Sequence, residues 1–164
     1  EIKKRISIAK GAAVHLPGDS EAVKPLTVTE KIRGGVIVTI NDSGYKETGT
    51  WADSGLPGYQ GGKSRFSGKG GSAVFASPLE KAGTCKVYVY RVAHPNNDAR
   101  QGIVINHGGA SENLVVDMRT GPSGWVELGS YSFKGNGLEN IVIKPGSGIY
   151  PARCSAVMFV LVAP

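Results

Sequence analysis

Along most of the chain, apolar residues either alternate with polar ones at every second position or gather in short β-branched and aromatic runs. Turn residues bound most of these runs, a pattern that reads as strands rather than helices. Eight segments carry the signal: Val36–Ile40, Ser72–Ala76, Cys85–Ala93, Gly102–Asn106, Asn113–Asp117, Trp125–Phe133, Leu138–Lys144 and Cys154–Val162. Helical periodicity is nearly absent, with one turn's worth at Thr27–Arg33. Many short strands with tight connections predict an all-β fold, a sandwich or a barrel.

Two strands can be read face by face, because side chains alternate along a strand. Cys85, Val87 and Val89 form one apolar face, and Lys86, Tyr88 and Tyr90 point the other way. In the last strand Val157, Phe159 and Leu161 oppose Cys154, Ala156 and Met158; being apolar on both sides, that strand is expected to be central and covered. The stretch from Gly55 to Gly71 is rich in glycine and predicts a long irregular loop. Its Gly62-Lys63-Ser64 resembles the end of a phosphate-binding loop, but the preceding glycine is misplaced and no helix follows. Residues 1–35 alternate weakly in Ile2–Ile8 and then pass through Pro17, Gly18 and Pro25, which suits a lead-in strand or linker before a sandwich at 36–164.

Composition agrees. The 164 residues suffice for one core, and 24 glycines with 9 prolines disfavour helix. No run approaches the roughly 18 apolar residues of a membrane helix. Translation does not begin on glutamate, so Glu1 is expected to be a trimmed start. The formal charge of +6 favours an anionic partner, yet the basic residues are dispersed and Lys3-Lys4-Arg5 is the only run of three. A nucleic-acid partner is therefore not expected, nor is a membrane. Cys85 and Cys154 lie too far apart for a compact zinc or redox motif. Oxidised, they would close a long loop worth about 4 kcal/mol; reduced, they are two buried thiols.

From Val36 onward the motif order resembles the golvesin and xanthan-lyase carbohydrate-binding-like family. The blocks are Asn41-Asp42-Ser43-Gly44-Tyr45, Gly49-Thr50-Trp51, Gly58-Tyr59-Gln60-Gly61 with Arg65-Phe66, Ala82 to Val89, Val104 to Gly109, Gly124 to Phe133, and Ala156 to Phe159. The resemblance implies a β-sandwich of jelly-roll, galactose-binding-like type, an accessory module of a secreted or cell-surface bacterial protein that binds polysaccharide beside a catalytic domain. Two positions depart from the family: Cys85 replaces an aromatic and Ser155 an acid, and both changes introduce or flank a cysteine, which fits a bridge between their strands.

Sugar binding uses an aromatic face beside planar polar groups. The aromatic candidates are Trp51, Tyr59, Tyr88, Tyr90, Trp125 and Tyr150, with Trp125 expected in the core and Tyr59 in the glycine loop the foremost binder. The polar loop His94 to Gln101 adds Asn96, Asn97 and Arg100, and Arg65, Arg91 and Arg100 favour an acidic glycan. His107, in Asn-His-Gly-Gly, orders a turn or joins Tyr90 and Arg91 in a lyase site. The ligand set is thus Trp51, Tyr59, Arg65, Tyr90, Arg91, Asn96, Asn97, Arg100 and His107. No catalytic residue is assigned: the 13 acids are scattered, without the paired carboxylates a glycosidase needs. A polysaccharide lyase or hydrolase and a purely structural or adhesion module are the rival readings. No cofactor is expected; for a structural calcium, Asn41, Asp42 and Asp53 are oxygen donors close in sequence, without the charge density of an EF-hand.

Overall fold

The computed structural model describes residues 35–68, 70–146 and 150–163. The expectations for residues 1–34, including Ile2–Ile8 and the turn at Thr27–Arg33, lie outside the described residues.

Among the described residues, twelve strands and one 3₁₀ turn follow one another: β1 Gly35–Thr39, β2 Tyr45–Thr48, β3 Ala52–Ser54, the turn Tyr59–Gly61, β4 Ser64–Ser67, β5 Ser72–Ala76, β6 Gly83–Arg91, β7 Gln101–His107, β8 Ala110–Val116, β9 Gly124–Phe133, β10 Asn140–Lys144, β11 Ala152–Cys154 and β12 Ala156–Ala163. They pair antiparallel into a four-stranded sheet β1-β12-β6-β9, a five-stranded sheet β2-β5-β10-β7-β8 and a small sheet β11-β4-β3. All eight predicted segments contain strand. The glycine stretch does not stay irregular: it holds the 3₁₀ turn and β4, which pairs on both sides.

The two larger sheets share one core. Val87, Val89, Val157 and Phe159 from the first interdigitate with Phe75, Ile103, Ile105, Ile141 and Ile143 from the second, all essentially inaccessible. The alternation predicted for β6 holds, since Cys85, Val87 and Val89 enter this core while Tyr88 and Tyr90 belong to a second cluster on the outer face. β12 lies between β1 and β6, buried on both faces as its double apolar pattern requires.

The last predicted strand is in fact two. Ser155 interrupts it, so Cys154 joins Val157 and Phe159 in the inner core while Ala156 and Met158 face outward. Strict alternation across the break had placed Cys154 on the opposite face. Ser155 turns the chain from the small sheet into the large one. Its carbonyl accepts from Ile40 N at 3.1 Å and its hydroxyl accepts from Tyr59 N at 2.8 Å. Gly58 makes this approach feasible, because a Cβ there would stand 2.2 Å from the Ser155 hydroxyl oxygen.

The expected Cys85–Cys154 bridge is absent: both are free and buried thiols. They sit on strands of different sheets, and the Cys154 sulfur instead meets the Tyr45 hydroxyl at 3.4 Å. Burial pushes both thiols up to about 12, so neither supplies thiolate at neutral pH. Without reductant, a thiol reagent at pH 8 is expected to label neither cysteine in the folded chain and both after denaturation. Two unreactive sulfurs in denaturant would show that the bridge exists after all.

Candidate functional site

One open cleft, of about 550 Å³, forms where the β1–β2 loop (residues 40–44), the β5–β6 loop (77–82) and the β9–β10 loop (134–139) meet. Val38 and Leu79 make its apolar floor, and Asp42, Ser43, Ser77 and Glu80 its polar walls. Gly135 allows the last two loops to touch, since its φ is +70° and a Cβ would lie 2.5 Å from the Lys81 backbone.

A buried carboxylate holds these loops in place. Glu139 accepts hydrogen bonds from Gly108 N (2.6 Å), Lys134 N (2.8 Å) and Gly135 N (2.9 Å), while its carbonyl accepts from Ser77 N (2.8 Å). Burial pushes the carboxyl up, but the backbone donors of Gly108, Lys134, Gly135 and Asn136 outweigh it and hold the group below the usual carboxylate range.

On the other side of the β1–β2 loop lies a groove of about 410 Å³. Arg65 on β4 grips Glu47 of β2 with two parallel bonds, Nε to Oε2 at 2.6 Å and Nη2 to Oε1 at 2.7 Å. Its Nη1 reaches Asp53 Oδ1 on β3 at 2.9 Å, and Lys63 stands 3.5 Å from the same carboxylate. The Tyr45 hydroxyl donates to Glu47 at 2.7 Å. Hydrogen bonding to Arg65 holds both carboxyls below their ordinary range, and burial raises the Tyr45 phenol beyond reach of neutral pH. The two carboxylates of the groove are thus held in their charged form. Asn41 and Lys46 complete its rim.

The sequence-predicted ligand residues do not converge. Arg65 lies in the groove, already neutralised by Glu47 and Asp53. Trp51 leans on the inner core and donates its indole N–H to Thr48 O at 3.0 Å. Tyr59 and Tyr90 pack with Trp125 on the outer face of the four-stranded sheet, with ring centroids 5.2–5.7 Å apart. Arg91 is only 8% exposed and donates to the carbonyls of Pro122 and Asp117. Asn97 is fully buried: its amide nitrogen donates to Val92 O and Met118 O, and its oxygen accepts from Arg153. In the same β6–β7 loop, Asn96 and Arg100 have exposed side chains, and their backbone N–H groups donate to His94 Nδ1 and Asp98 Oδ1. His107 sits at the opposite end of the sandwich from Arg91. Its Nδ1 donates to Ser132 O at 2.9 Å, and Nε2 faces Glu112 at 3.3 Å. The His107, Tyr90 and Arg91 constellation is therefore dispersed.

Of the three calcium donors named from sequence, Asn41 and Asp53 line the groove and Asp42 lines the cleft. Asp42 accepts from Thr39 N at 2.7 Å, and Asp53 is held by Arg65 and Lys63. Among the described residues, no group of three or more His, Cys, Asp or Glu side chains is arranged to hold a metal ion. Sequence reasoning passed over Ser43, Lys46, Lys63 and Glu80, which line the two cavities, and Glu139, which shapes one of them. The one signal for Glu139 was an acid two positions after the Gly135-Asn136-Gly137 turn, at the mouth of a strand.

The profile of the Golvesin C-terminal domain family matches residues 36–147. The chain belongs to that family. This golvesin C-terminal domain is 29% identical over 133 residues to a xanthan lyase of Bacillus sp. (strain GL1), a match covering 76% of the chain and 14% of the lyase. The structure of Paenibacillus xanthan lyase superposes with a TM-score of 0.72 at 28% identity, over 78% of this chain and 13% of that one. The GH26-CBM35 β-(1,4)-mannanase of Podospora anserina shares the fold, at TM-score 0.54 and 19% identity over 79% of this chain and 28% of the mannanase. The domain thus spans only a small part of the relatives it matches.

The Glu139 cage has a pH signature. Its folded-state carboxyl lies below the unfolded one, near 4.3. The stabilisation is therefore present above that value and is lost as pH falls through the folded one. Glu139→Gln is expected to cost about 1.5–3 kcal/mol at pH 7 and to flatten the decline of stability in acid, as read by urea unfolding between pH 3 and 7. An unchanged acid profile would show that the cage does not stabilise the fold.

Proposed function

We propose that this golvesin C-terminal domain is a non-catalytic carbohydrate-binding accessory module of a secreted bacterial protein, holding a catalytic neighbour near an acidic polysaccharide. The observation that carries the reading is the pair of open cavities flanking the β1–β2 loop, whose volumes fall in the range of small-ligand sites. Their walls supply carboxylates, hydroxyls, an amide and ammonium groups, which is the equipment for fixing sugar hydroxyls and acid groups. Both Glu47 and Asp53 are held ionised, so neither serves as the protonated acid that a glycosidase requires. Lys46 and Lys63 on the groove, with the net charge of +6, support an acidic ligand. Tethering a catalytic domain to its polymer raises the local substrate concentration without any chemistry in the module.

Xanthan is the first polymer to try, given the lyases matched above. In affinity electrophoresis, the wild-type domain is expected to be retarded by xanthan. Ser43→Trp, which fills the cleft from an exposed loop position, is expected to lose most of that retardation at an unchanged melting temperature. Arg100→Ala, on a different loop, is expected to behave as wild type. Retardation lost in Arg100→Ala and kept in Ser43→Trp would move the site to the β6–β7 loop. Unsaturated sugar ends released from xanthan by the isolated domain would overturn the non-catalytic reading.

A further inference from the structure

The two cavities share a wall but differ in charge. Asn41 of the β1–β2 loop faces the groove, and the next three residues, Asp42, Ser43 and Gly44, line the cleft. A polymer crossing this loop would meet both. Among the residues lining the cleft, the only charged ones are Asp42 and Glu80. Asp42 has one carboxylate oxygen occupied by Thr39, and exposed Glu80 has no ion-pair partner among the described residues. Lys81 and Lys134 belong to the loops around the cleft but do not line it. The groove carries Lys46, Lys63 and Arg65 against Glu47 and Asp53. Arg65 is consumed by the two acids and Lys63 is shared with Asp53, whereas exposed Lys46 has no carboxylate partner among the described residues.

A uronate seated in the cleft would place its charge against two carboxylates, a repulsion that water screens only in part. An uncharged sugar presents hydroxyls, for which Asp42, Glu80, Ser43 and Ser77 are hydrogen-bond partners, above an apolar floor of Val38 and Leu79. In the groove the preference reverses, because Lys46 is the unneutralised charge there. Resting on the carbohydrate-binding reading above, we propose that cleft and groove are adjacent subsites of one site, and that the ligand is a heteropolysaccharide in which an uncharged sugar alternates with a uronate. The β1–β2 loop then acts as a ruler that sets one sugar type on each side of it.

The test compares three soluble polymers against the intact domain by titration calorimetry at low salt: hyaluronate, in which a uronate alternates with an uncharged sugar, polygalacturonate, charged at every residue, and an uncharged β-glucan. Wild type is expected to bind hyaluronate about threefold to fivefold tighter than either of the others, as suits partly exposed charge pairs. Lys46→Glu is expected to remove that advantage over the β-glucan, and Glu80→Lys to raise affinity for polygalacturonate to the level of hyaluronate. Lys46→Gln and Glu80→Gln, expected to move in the same directions by less, stand in if a charge reversal lowers the melting temperature. Binding of polygalacturonate as tight as hyaluronate by wild type, or polymer preferences unchanged by both substitutions, would overturn the alternating ligand while leaving the carbohydrate-binding module intact. Failure of wild type to bind any of the three, or xanthan, would overturn both.

Discussion

The chain's passage through Ser155 fixes more of this molecule than any other single contact. Here the backbone leaves the small sheet at Cys154 and enters the large one at Ala156, and the residue between them secures two other segments. Its carbonyl pins Ile40, the first residue of the β1–β2 loop, and its hydroxyl pins Tyr59, the first residue of the 3₁₀ turn. The loop that divides cleft from groove is therefore registered against the same atom group that registers the glycine-rich segment carrying Lys63 and Arg65. The space at this point suits a small residue: Gly58 approaches Ser155 so closely that no side chain fits between them. A carboxylate at 155 would need a wider gap and charge compensation in a site that is almost fully buried.

Arg65 extends that registration across the small sheet. Its fork closes on Glu47 from β2 and Asp53 from β3, tying the edge of the five-stranded sheet to the small one. The pairs are partly exposed, so their net stabilisation is modest. Their geometry has the larger consequence, because a bidentate guanidinium fixes both carboxylates in direction as well as in charge. Arg65, named from sequence as a ligand for an acidic sugar, thus also positions these two carboxylates, and Lys46 beside it has no carboxylate partner among the described residues.

What could be read from sequence followed the strength of the alternation. β5 through β10 and β12 announce themselves through β-branched and aromatic runs, since their side chains must fill a core shared by two sheets. β2, β3 and β4, with the sequences YKET, ADS and SRFS, do not. They are short and largely polar, and what orders them is the Glu47–Arg65–Asp53 bonding and their pairing with neighbours distant in sequence. No local pattern encodes such contacts. The same limit explains Asn97: a polar residue in a polar loop reads as exposed, yet Val92, Met118 and Arg153 supply three hydrogen bonds that allow its burial. The family resemblance came from motif order, which is a property of topology and carries little information about which side chains reach a surface.

The use of the aromatic residues bears on how such a domain would hold a polymer. Tyr59, expected to be the foremost binder in an irregular glycine-rich loop, is braced through Ser155 and packed against Tyr90 and Trp125. Trp125 is buried with its indole N–H lacking an acceptor among the described residues, a cost that the packing of three rings must offset. Rings committed in this way are not available to stack on a pyranose at the cleft, whose lining contains no aromatic residue. On the proposed reading, recognition in the cleft would fall to hydrogen bonds and charge, which compete directly with water and yield little net affinity apiece. For a module that works by tethering, weak contacts repeated along a polymer suffice, because each released contact can be remade on the next repeat before the attached partner diffuses away. Shallow cavities with fixed charges and few rings are consistent with that mode of binding, in which sequence of charge along the polymer, more than depth of burial, sets the preference.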